Sequence, residues 1–339
     1  MPLDPQLTPI LEAAAPFTSV DWNSIDVATA RQAAAQSVVP APVYHLASVE
    51  DFYISTREHR VPVRLYRPDD EQHLPVILFM HGGGWVLGSL DAYDGICRKL
   101  ALDSGCPVLA VDYRLAPEYP YPAALNDCFA VLAWLVDNGT QMGLDPSRIA
   151  LAGDSAGANL SAALTVMSRD RGGPAIRHQA LLYPATDRSC SSPSFAENDR
   201  YLLTPAMMRW YWKHYIGERS DTEVALALPA QFRDLSGLPG ATVITAEYDP
   251  LRDEGEAYAA SLARAGVPTE LVRVPGQIHG FISMLGMVDA AEYWLGYVAR
   301  RLRDAVTPSS APIIARTVAG SVSRAKRTRR PPTSSTSIS

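Results

Sequence analysis

Cysteine is scarce in this chain, and its spacing forms no motif. The four cysteines contain no C-x-x-C pair and show no metal-ligand spacing with histidine. This pattern argues against a disulfide framework and against a zinc site. We interpret Cys97, Cys106, Cys128 and Cys190 as small packing residues, and we expect no metal ion and no organic cofactor.

Basic residues are missing from the start of the chain, and long apolar runs are missing throughout. The first thirty residues contain neither Lys nor Arg, so the positively charged region that opens a secretory signal is not found there. No apolar run approaches the length of a membrane span. These absences predict a cytoplasmic protein with no membrane span.

Positive charge is concentrated at the other end. The formal net charge is −6, and residues 307–339 hold six Arg and Lys with no Asp or Glu, which leaves −12 on the rest of the chain. Residues 324–330 are strongly basic and precede two prolines and a Ser/Thr-rich stretch, a composition typical of disorder. Such a tail could touch nucleic acid or an anionic membrane. A solvated, non-catalytic extension is the preferred interpretation, and we expect no nucleic-acid partner.

Short apolar runs alternate with helical stretches along most of the chain. With 339 residues, of which 47% are hydrophobic, the chain can bury one large core. The alternation predicts an α/β fold with a mostly parallel sheet covered on both faces by helices. Two more polar runs, 44–55 and 60–67, predict an antiparallel hairpin at the start of the sheet. The buried-type strands are 75–80, 108–111, 148–152, 180–183, 241–246 and 269–275, and 123–136 is one of the helical stretches.

A serine lies where a predicted strand turns directly into a predicted helix. Residues 153–157 read Gly-Asp-Ser-Ala-Gly, after the apolar run 149–152 and before the Ala-rich stretch 158–168. This is the context of a nucleophile elbow, a strained turn whose glycines leave no room for a Cβ atom. A lone G-x-S-x-G would occur by chance in roughly one such chain in ten. The pentapeptide makes Ser155 a candidate nucleophile, with a structural turn as the alternative.

Three consecutive glycines follow the predicted strand 75–80. Residues 81–84 read His-Gly-Gly-Gly, a pattern expected by chance in roughly one such chain in five hundred. Acyl transfer needs backbone N–H groups directed at the oxygen that becomes negative, and glycine lets the main chain approach that closely. We expect Gly83, Gly84 and Ala156 to supply these donors. A flexible loop is the alternative interpretation.

These motifs together resemble the hormone-sensitive lipase-like branch of the α/β-hydrolases, and the chain looks like its bacterial carboxylesterases. The resemblance covers roughly residues 3–305 and implies an eight-stranded, mostly parallel sheet, a helical cap and a triad in the order Ser, Asp, His. One departure is Ala158, where the family usually has a further glycine. The matching segments are 81–84, 112–118, 122–124, 153–157, 249–255 and 279–281.

The residues themselves supply the other two triad members. His279 follows the predicted strand 269–275, in a loop at the end of a strand where open α/β sheets place their sites. Asp249 follows the strand 241–246, and its carboxylate would fix the imidazole tautomer. Asp253 and Glu254 compete for that role, but they precede a helical run, where the helix dipole explains acidic residues.

The remaining candidates receive supporting or structural roles. Asp154 is expected to brace neighbouring loops because the residue beside an elbow serine points away from the histidine. His81 is expected to brace the glycine loop by hydrogen bonding. Of the other histidines, His45, His59 and His73 are predicted on the surface, and His178 and His214 are predicted to be structural.

Two segments lie outside the hydrolase core. Residues 2–40 contain helical stretches, and 198–219 are too aromatic for an ordinary loop. In the family such segments form a cap over the nucleophile; a core-packing helix is the alternative. The expected organisation is cap helices in 1–45, a catalytic domain in 46–306 with a cap insertion at about 198–220, and the tail 307–339. The expected substrate-pocket residues are Trp85, Tyr201, Met208, Trp212 and Phe281.

The constellation predicts hydrolysis of short- to medium-chain carboxylic esters through an acyl-enzyme on Ser155, with water as the second substrate. Hydrolysis of an amide or a carbamate by the same triad is an open alternative. A non-catalytic small-molecule receptor on this scaffold is another, although the presence of His279 argues against it. A homodimer is left open.

Overall fold

An eight-stranded sheet organises the part of the chain that the structure, a computed structural model, describes: residues 1–36, 41–56 and 58–307. Of the basic tail predicted for residues 307–339, only Thr307 belongs to the described residues. The strands are β1 (Ser48–Ser55), β2 (Arg60–Arg67), β3 (Leu74–Met80), β4 (Val108–Val111), β5 (Leu144–Asp154), β6 (Ile176–Leu182), β7 (Gly240–Tyr248) and β8 (Thr269–Ile278).

The strand order is β1-β2-β4-β3-β5-β6-β7-β8, and only β2 runs against its neighbours. The pairs from β4 through β8 are parallel. This confirms the predicted antiparallel start and mostly parallel sheet. β5 begins four residues earlier than predicted, since residues 145–147, Asp-Pro-Ser, interrupt the hydrophobic pattern near the start of the strand.

Helices cover both faces of this sheet, as a parallel sheet requires. The α-helices of the described residues are α1 (Thr8–Thr18), α2 (Val27–Gln36), α3 (Asp94–Ser104), α4 (Ala123–Asn138), α5 (Ala156–Asp170), α6 (Pro193–Glu197), α7 (Pro205–Ile216), α8 (Arg252–Arg264) and α9 (Asp289–Val306). Among them, none combines the length and the apolar character that a bilayer crossing needs. In β3, Ile77 and Phe79 pack in one apolar cluster with α3 and α9, whereas Val76 and Leu78 pack in another with α4 and α5.

The N-terminal segment contacts two separate parts of the fold. At its start, the backbone N–H of Asp4 donates to Gly276 O at 3.0 Å, and Gln277 Nε2 donates to Asp4 Oδ2 at 2.7 Å, so this end is fixed to β8. Between α1 and α2, the Trp22 ring packs 5.3 Å from Trp210 of α7. The segment therefore joins the last strand of the sheet to the aromatic helix α7.

Three parallel strands place the triad candidates. Ser155, Asp249 and His279 each directly follow a strand, β5, β7 and β8 respectively. Because parallel strands end at the same edge of a sheet, these side chains converge there. This edge is the usual location of sites in open α/β folds.

Candidate active site

The turn between β5 and α5 holds Ser155 in an unusual backbone conformation. Its φ is 53° and its ψ is −117°, a region that a residue with a side chain rarely adopts. A Cβ atom on Gly153 would lie 2.5 Å from the Gly157 backbone, and one on Gly157 would clash with the Met80 carbonyl. Gly153 is therefore required by the close approach of α5, and Gly157 by that of β3. Ala158 does not disturb this packing, because it lies fully buried in an apolar cluster.

A continuous hydrogen-bonded line connects the three triad candidates. His279 Nε2 lies 3.0 Å from Ser155 Oγ, and His279 Nδ1 lies 2.8 Å from Asp249 Oδ2. Asp249 is completely buried, and its Oδ1 accepts the N–H of Leu251 at 2.8 Å. These distances suit a nucleophile, a base and a group that orients the base.

The nearby acid Asp253 lies outside this line. Its Oδ2 accepts the N–H of Ser194 at 2.8 Å, and its Oδ1 pairs with Arg252 at 2.8 Å. Its carboxylate therefore holds the segment around α6 instead of the histidine. The structure brings Asp249, and not Asp253, to His279.

The glycine loop after β3 adopts backbone angles that favour glycine. φ is 105° at Gly83 and 61° at Gly84. In the described part of the chain, the N–H groups of Gly83 and Gly84 donate to no other group. Ala156 is the first residue of α5, so its N–H also has no partner within the helix, and the positive end of the helix dipole lies there. Donors so arranged can bind an oxyanion.

Asp154 connects the serine turn to the glycine loop. Its carboxylate is 4% exposed; Oδ1 accepts the N–H of Gly82 at 2.7 Å and Oδ2 accepts the Tyr93 hydroxyl at 3.1 Å. Burial raises the pKa of Asp154 to about 6, and the hydrogen bond from Tyr93 partly opposes that rise. These contacts are those that a brace between the two loops would make.

His81 holds the glycine loop from inside. Burial lowers the pKa of His81 to about 4, so the ring is neutral. Its Nδ1 lies 2.7 Å from Gly82 O, and the ring stacks on Tyr113 with centroids 4.3 Å apart. The Tyr113 hydroxyl donates to His81 O at 2.7 Å. These contacts hold His81 against the glycine loop and Tyr113, as expected of a residue that braces the loop.

Of the histidines predicted on the surface, two are exposed and one has a buried partner. His45 and His73 are exposed, as predicted. His59 is not a free surface residue: it is half-buried, and its Nε2 lies 2.8 Å from Oδ1 of the buried Asp127. The polar sequence around His59 could not reveal a partner 68 residues away. No group of three or more side chains able to hold a metal ion occurs in residues 1–36, 41–56 and 58–307.

The five expected pocket residues divide between two apolar clusters. Trp85, Met208 and Trp212 share the cluster that includes α7, and the Trp85 ring lies 4.3 Å from that of Trp212. Tyr201 and Phe281 pack in the other cluster; the Tyr201 ring lies 5.3 Å from that of Tyr248. Trp85, which directly follows the glycine loop, therefore packs on α7, and the first three residues are all buried.

Two residues, one on α7 and one on α2, contact the glycine loop or the segments beside it, and sequence patterns did not indicate these contacts. The ring of Tyr211, on α7, covers Gly84 so closely that a Cβ atom on that glycine would clash with it. Arg31, on α2, donates to Val86 O and Ala116 O at 3.0 Å each. Its guanidinium also pairs with both carboxylate oxygens of Glu118 at 2.7 Å. Tyr211 stood within the aromatic segment, but nothing in the sequence around Arg31 indicated its role.

The chain is similar in sequence to known ester hydrolases. A family model described as an alpha/beta hydrolase fold matches residues 77–283. The carboxylesterase NlhH of Mycobacterium tuberculosis (strain ATCC 25618 / H37Rv) is 45% identical over 238 residues, 68% of this chain and 74% of the relative. The ethyl acetate hydrolase of Pseudomonas putida is 38% identical over 262 residues, 76% of this chain and 82% of the relative.

A solved structure gives the same result at the level of the whole fold. The esterase of Pyrobaculum calidifontis superposes with a TM-score of 0.83 at 40% identity, covering 90% of this chain and 100% of that chain. Sequence motifs, sheet order and these matches all lead to one assignment. The chain belongs to the α/β-hydrolase fold family, in its hormone-sensitive lipase-like branch.

Proposed function

We propose that the chain is a carboxylic ester hydrolase that cleaves short- to medium-chain esters through an acyl-enzyme. The observation that carries this proposal is the line from Ser155 Oγ through His279 to the buried Asp249, beside unpaired backbone N–H groups. Ester hydrolysis is supported by relatives named carboxylesterase, esterase and ethyl acetate hydrolase. The cytoplasmic location and the oligomeric state stay predictions from the sequence.

Acylation begins when Ser155 Oγ attacks the carbonyl carbon of the ester. His279 Nε2 takes the hydroxyl proton, while its Nδ1–H donates to Asp249, which fixes this tautomer and stabilises the imidazolium. The carbonyl oxygen becomes negative and receives hydrogen bonds from the N–H groups of Gly83, Gly84 and Ala156. The intermediate then collapses: the C–O bond to the alcohol breaks, and His279 returns the proton to the leaving alkoxide.

Deacylation repeats the same steps with water. His279 Nε2 removes a proton from water as the oxygen attacks the acyl carbon, and the same donors bind the second oxyanion. The bond to Ser155 Oγ breaks and the serine recovers its proton from His279. The products are a carboxylic acid and an alcohol, and no further group is consumed.

The preference for short chains rests on the residues that surround the glycine loop. We infer that α1, α2 and α7 form a cap over the site, since Tyr211 covers Gly84 and Arg31 bonds to the segment that follows the loop. Trp85, Met208 and Trp212 are buried in the apolar cluster that includes α7, and we propose that this cluster forms the wall of the acyl pocket. A pocket closed by such a cap favours acyl groups that end before its wall.

Turnover of p-nitrophenyl butyrate by the wild-type chain and by Ser155→Ala tests the proposal. We expect the variant to lose at least about 10³-fold in kcat, since the nucleophile is gone. Ser168→Ala is the matched control, because Ser168 is also buried on α5 but bonds to Pro174 O instead of the triad. Diethyl p-nitrophenyl phosphate should label Ser155 in a mass spectrum. Near-wild-type turnover by Ser155→Ala would contradict the mechanism.

A further inference from the structure

A second buried carboxylate lies in the first turn of α8, close to the triad acid. Glu254 is 7% exposed. Its Oε1 accepts the N–H of Thr186 at 2.6 Å and the N–H of Asp187 at 3.2 Å. None of the catalytic steps described above uses this side chain. A carboxylate placed there only to complement the helix dipole would gain nothing by turning inward, away from water.

The loop that Glu254 holds, residues 183–187, follows β6 and touches both partners of the proton transfer. The Tyr183 ring meets the His279 ring edge-on, with centroids 4.7 Å apart. The N–H of Ala185 points to Ser155 O at 3.4 Å. A shift of this loop would therefore move the histidine and the serine relative to each other.

Other contacts show that the loop is fixed mainly through its backbone. Asn159 Nδ2, on α5, donates to Ala185 O at 2.8 Å. The N–H of Tyr183 donates to Ile244 O at 2.6 Å. On the α8 side, a Cβ atom on Gly255 would lie 3.3 Å from the ring of Pro184, so the helix and the loop approach closely. Glu254 is the side chain of α8 that ties the end of the loop to the helix.

The same helix begins beside the triad acid. The N–H of Arg252, the first residue of α8, donates to Asp249 O at 3.1 Å. Glu254 therefore connects the segment that carries Asp249 to the loop that packs on His279 and Ser155. Burial raises the pKa of Glu254 well above its usual range, whereas its two N–H donors act in the opposite direction. An oxygen acceptor is present in either protonation state.

We propose that Glu254 is a positioning residue for the proposed ester hydrolysis: by accepting the N–H groups of Thr186 and Asp187, it sets the 183–187 loop and with it the alignment of His279 and Ser155. Misplacing reacting groups by about 1 Å can cost about 10²-fold in rate. The effect of losing Glu254 is thus expected in kcat, because the loop acts on the proton transfer and not on ground-state binding.

The test compares Glu254→Ala, Glu254→Gln and Asp253→Ala on p-nitrophenyl butyrate. Active sites are counted from the p-nitrophenol released by diethyl p-nitrophenyl phosphate, so that unfolded protein does not enter kcat. We expect Glu254→Ala to lower kcat per active site about tenfold to hundredfold, with KM within about twofold. Glu254→Gln keeps an oxygen acceptor, so it should lower kcat about threefold, a partial rescue.

Asp253→Ala is the matched control from the same helical turn. Its carboxylate holds Ser194 instead of the 183–187 loop, so we expect kcat within about twofold of wild type even if the melting temperature falls. An unchanged kcat per active site in Glu254→Ala overturns the proposal and leaves Glu254 a stability residue. Should that variant fail to fold, an unchanged kcat in Glu254→Gln has the same meaning. A wild-type chain without turnover would contradict the proposed function instead.

Discussion

The strand-end site, formed by residues 81–84, 153–157, Asp249 and His279, differs in construction from the proposed cap, formed by α1, α2 and α7. In the strand-end site, polar atoms meet at 2.7–3.0 Å, and backbone atoms block an added side chain at Gly83, Gly153 and Gly157. In the cap, aromatic rings meet edge-on or tilted, for example Trp22 with Trp210 at 5.3 Å. Hydrogen-bond geometry allows few alternatives, whereas apolar packing accepts other side chains of similar volume. Substitutions in the first region should therefore change the rate, and those in the second should change which ester is preferred.

The largest expected effect separates the two acids that follow β7. Asp249→Asn should lower kcat about 10⁴-fold, since the amide favours the wrong imidazole tautomer. Asp253→Asn should cost less than about threefold, because its carboxylate faces Ser194. Steady-state kinetics of both variants on p-nitrophenyl butyrate provide the measurement. The reverse ranking would reassign the triad acid.

The glycine loop is the part of the strand-end site that the proposed cap contacts, through Tyr211. Added side chains in this loop test that contact. Gly83→Ala and Gly84→Ala should each lower kcat about 10²- to 10³-fold, with a smaller change in KM, because a displaced donor acts mainly on the transition state. The obstacle at Gly83 is the Leu87 backbone, whereas at Gly84 it is the Tyr211 ring. Tyr211→Leu should thus restore part of the activity of Gly84→Ala and none of that of Gly83→Ala. Equal behaviour of the two double variants would contradict this distinction.

The buried brace Asp154 of the strand-end site should make the stability of the fold depend on pH. Its pKa is about 6 in the fold and about 3.9 in an unfolded chain, so the folded protein binds the extra proton between these values. The stability that this proton provides is present below about pH 4 and is lost as pH rises through about 6. Asp154→Asn has no carboxyl group to lose its proton, so the variant does not lose this stability as pH rises. Relative to wild type, the variant should gain on the order of 2 kcal/mol between pH 4.5 and 7.5, measured by urea unfolding.

A difference between wild type and Asp154→Asn that is constant with pH would show that the carboxylate does not change its protonation in this range. Asp253→Asn is the appropriate control. The pKa of Asp253 is lowered by Arg252 and Ser194 in spite of its burial, so its contribution has the opposite sign: it is present above about pH 4 and is lost as pH falls further.

The smallest effect concerns the acyl-chain profile. With p-nitrophenyl esters, activity should peak at about four to six acyl carbons and fall steeply beyond about ten, since each buried methylene contributes up to about 0.8 kcal/mol until the wall is reached. Arg31→Ala releases α2 from the segment after the glycine loop and should flatten this profile a few-fold. Arg177→Ala is the control, because Arg177 also donates to a backbone carbonyl, but that of Ser147 on β5. An unchanged profile in a folded Arg31→Ala variant would mean that α2 is not part of the cap.

The sequence was most informative where function depends on residues close together in the chain. The predicted strands 148–152, 241–246 and 269–275 end within four residues of Ser155, Asp249 and His279, so strand patterns and the local motifs were enough to select them. The partners of Arg31 and Glu254 lie 55 to 87 and 67 to 68 residues away. Hydrophobic periodicity indicates which face of a helix is buried, but not which atom it meets there. For this reason the helix dipole accounts for an acidic residue in the first turn of α8 but not for the inward contacts of Glu254, and the surface prediction for His59 missed its buried partner Asp127.

The close approach of β3 to the serine turn bears on efforts to evolve new substrate ranges. At Gly157, the atom that blocks a side chain is the Met80 carbonyl oxygen, which every amino acid at position 80 would also supply. No second-site change can therefore open room there, and randomising this codon would only enlarge a library with inactive clones. At Gly84 the blocking group is a replaceable ring. Tyr211 and its aromatic neighbours are better positions to randomise, because a new side chain there can change the available volume without moving the main chain.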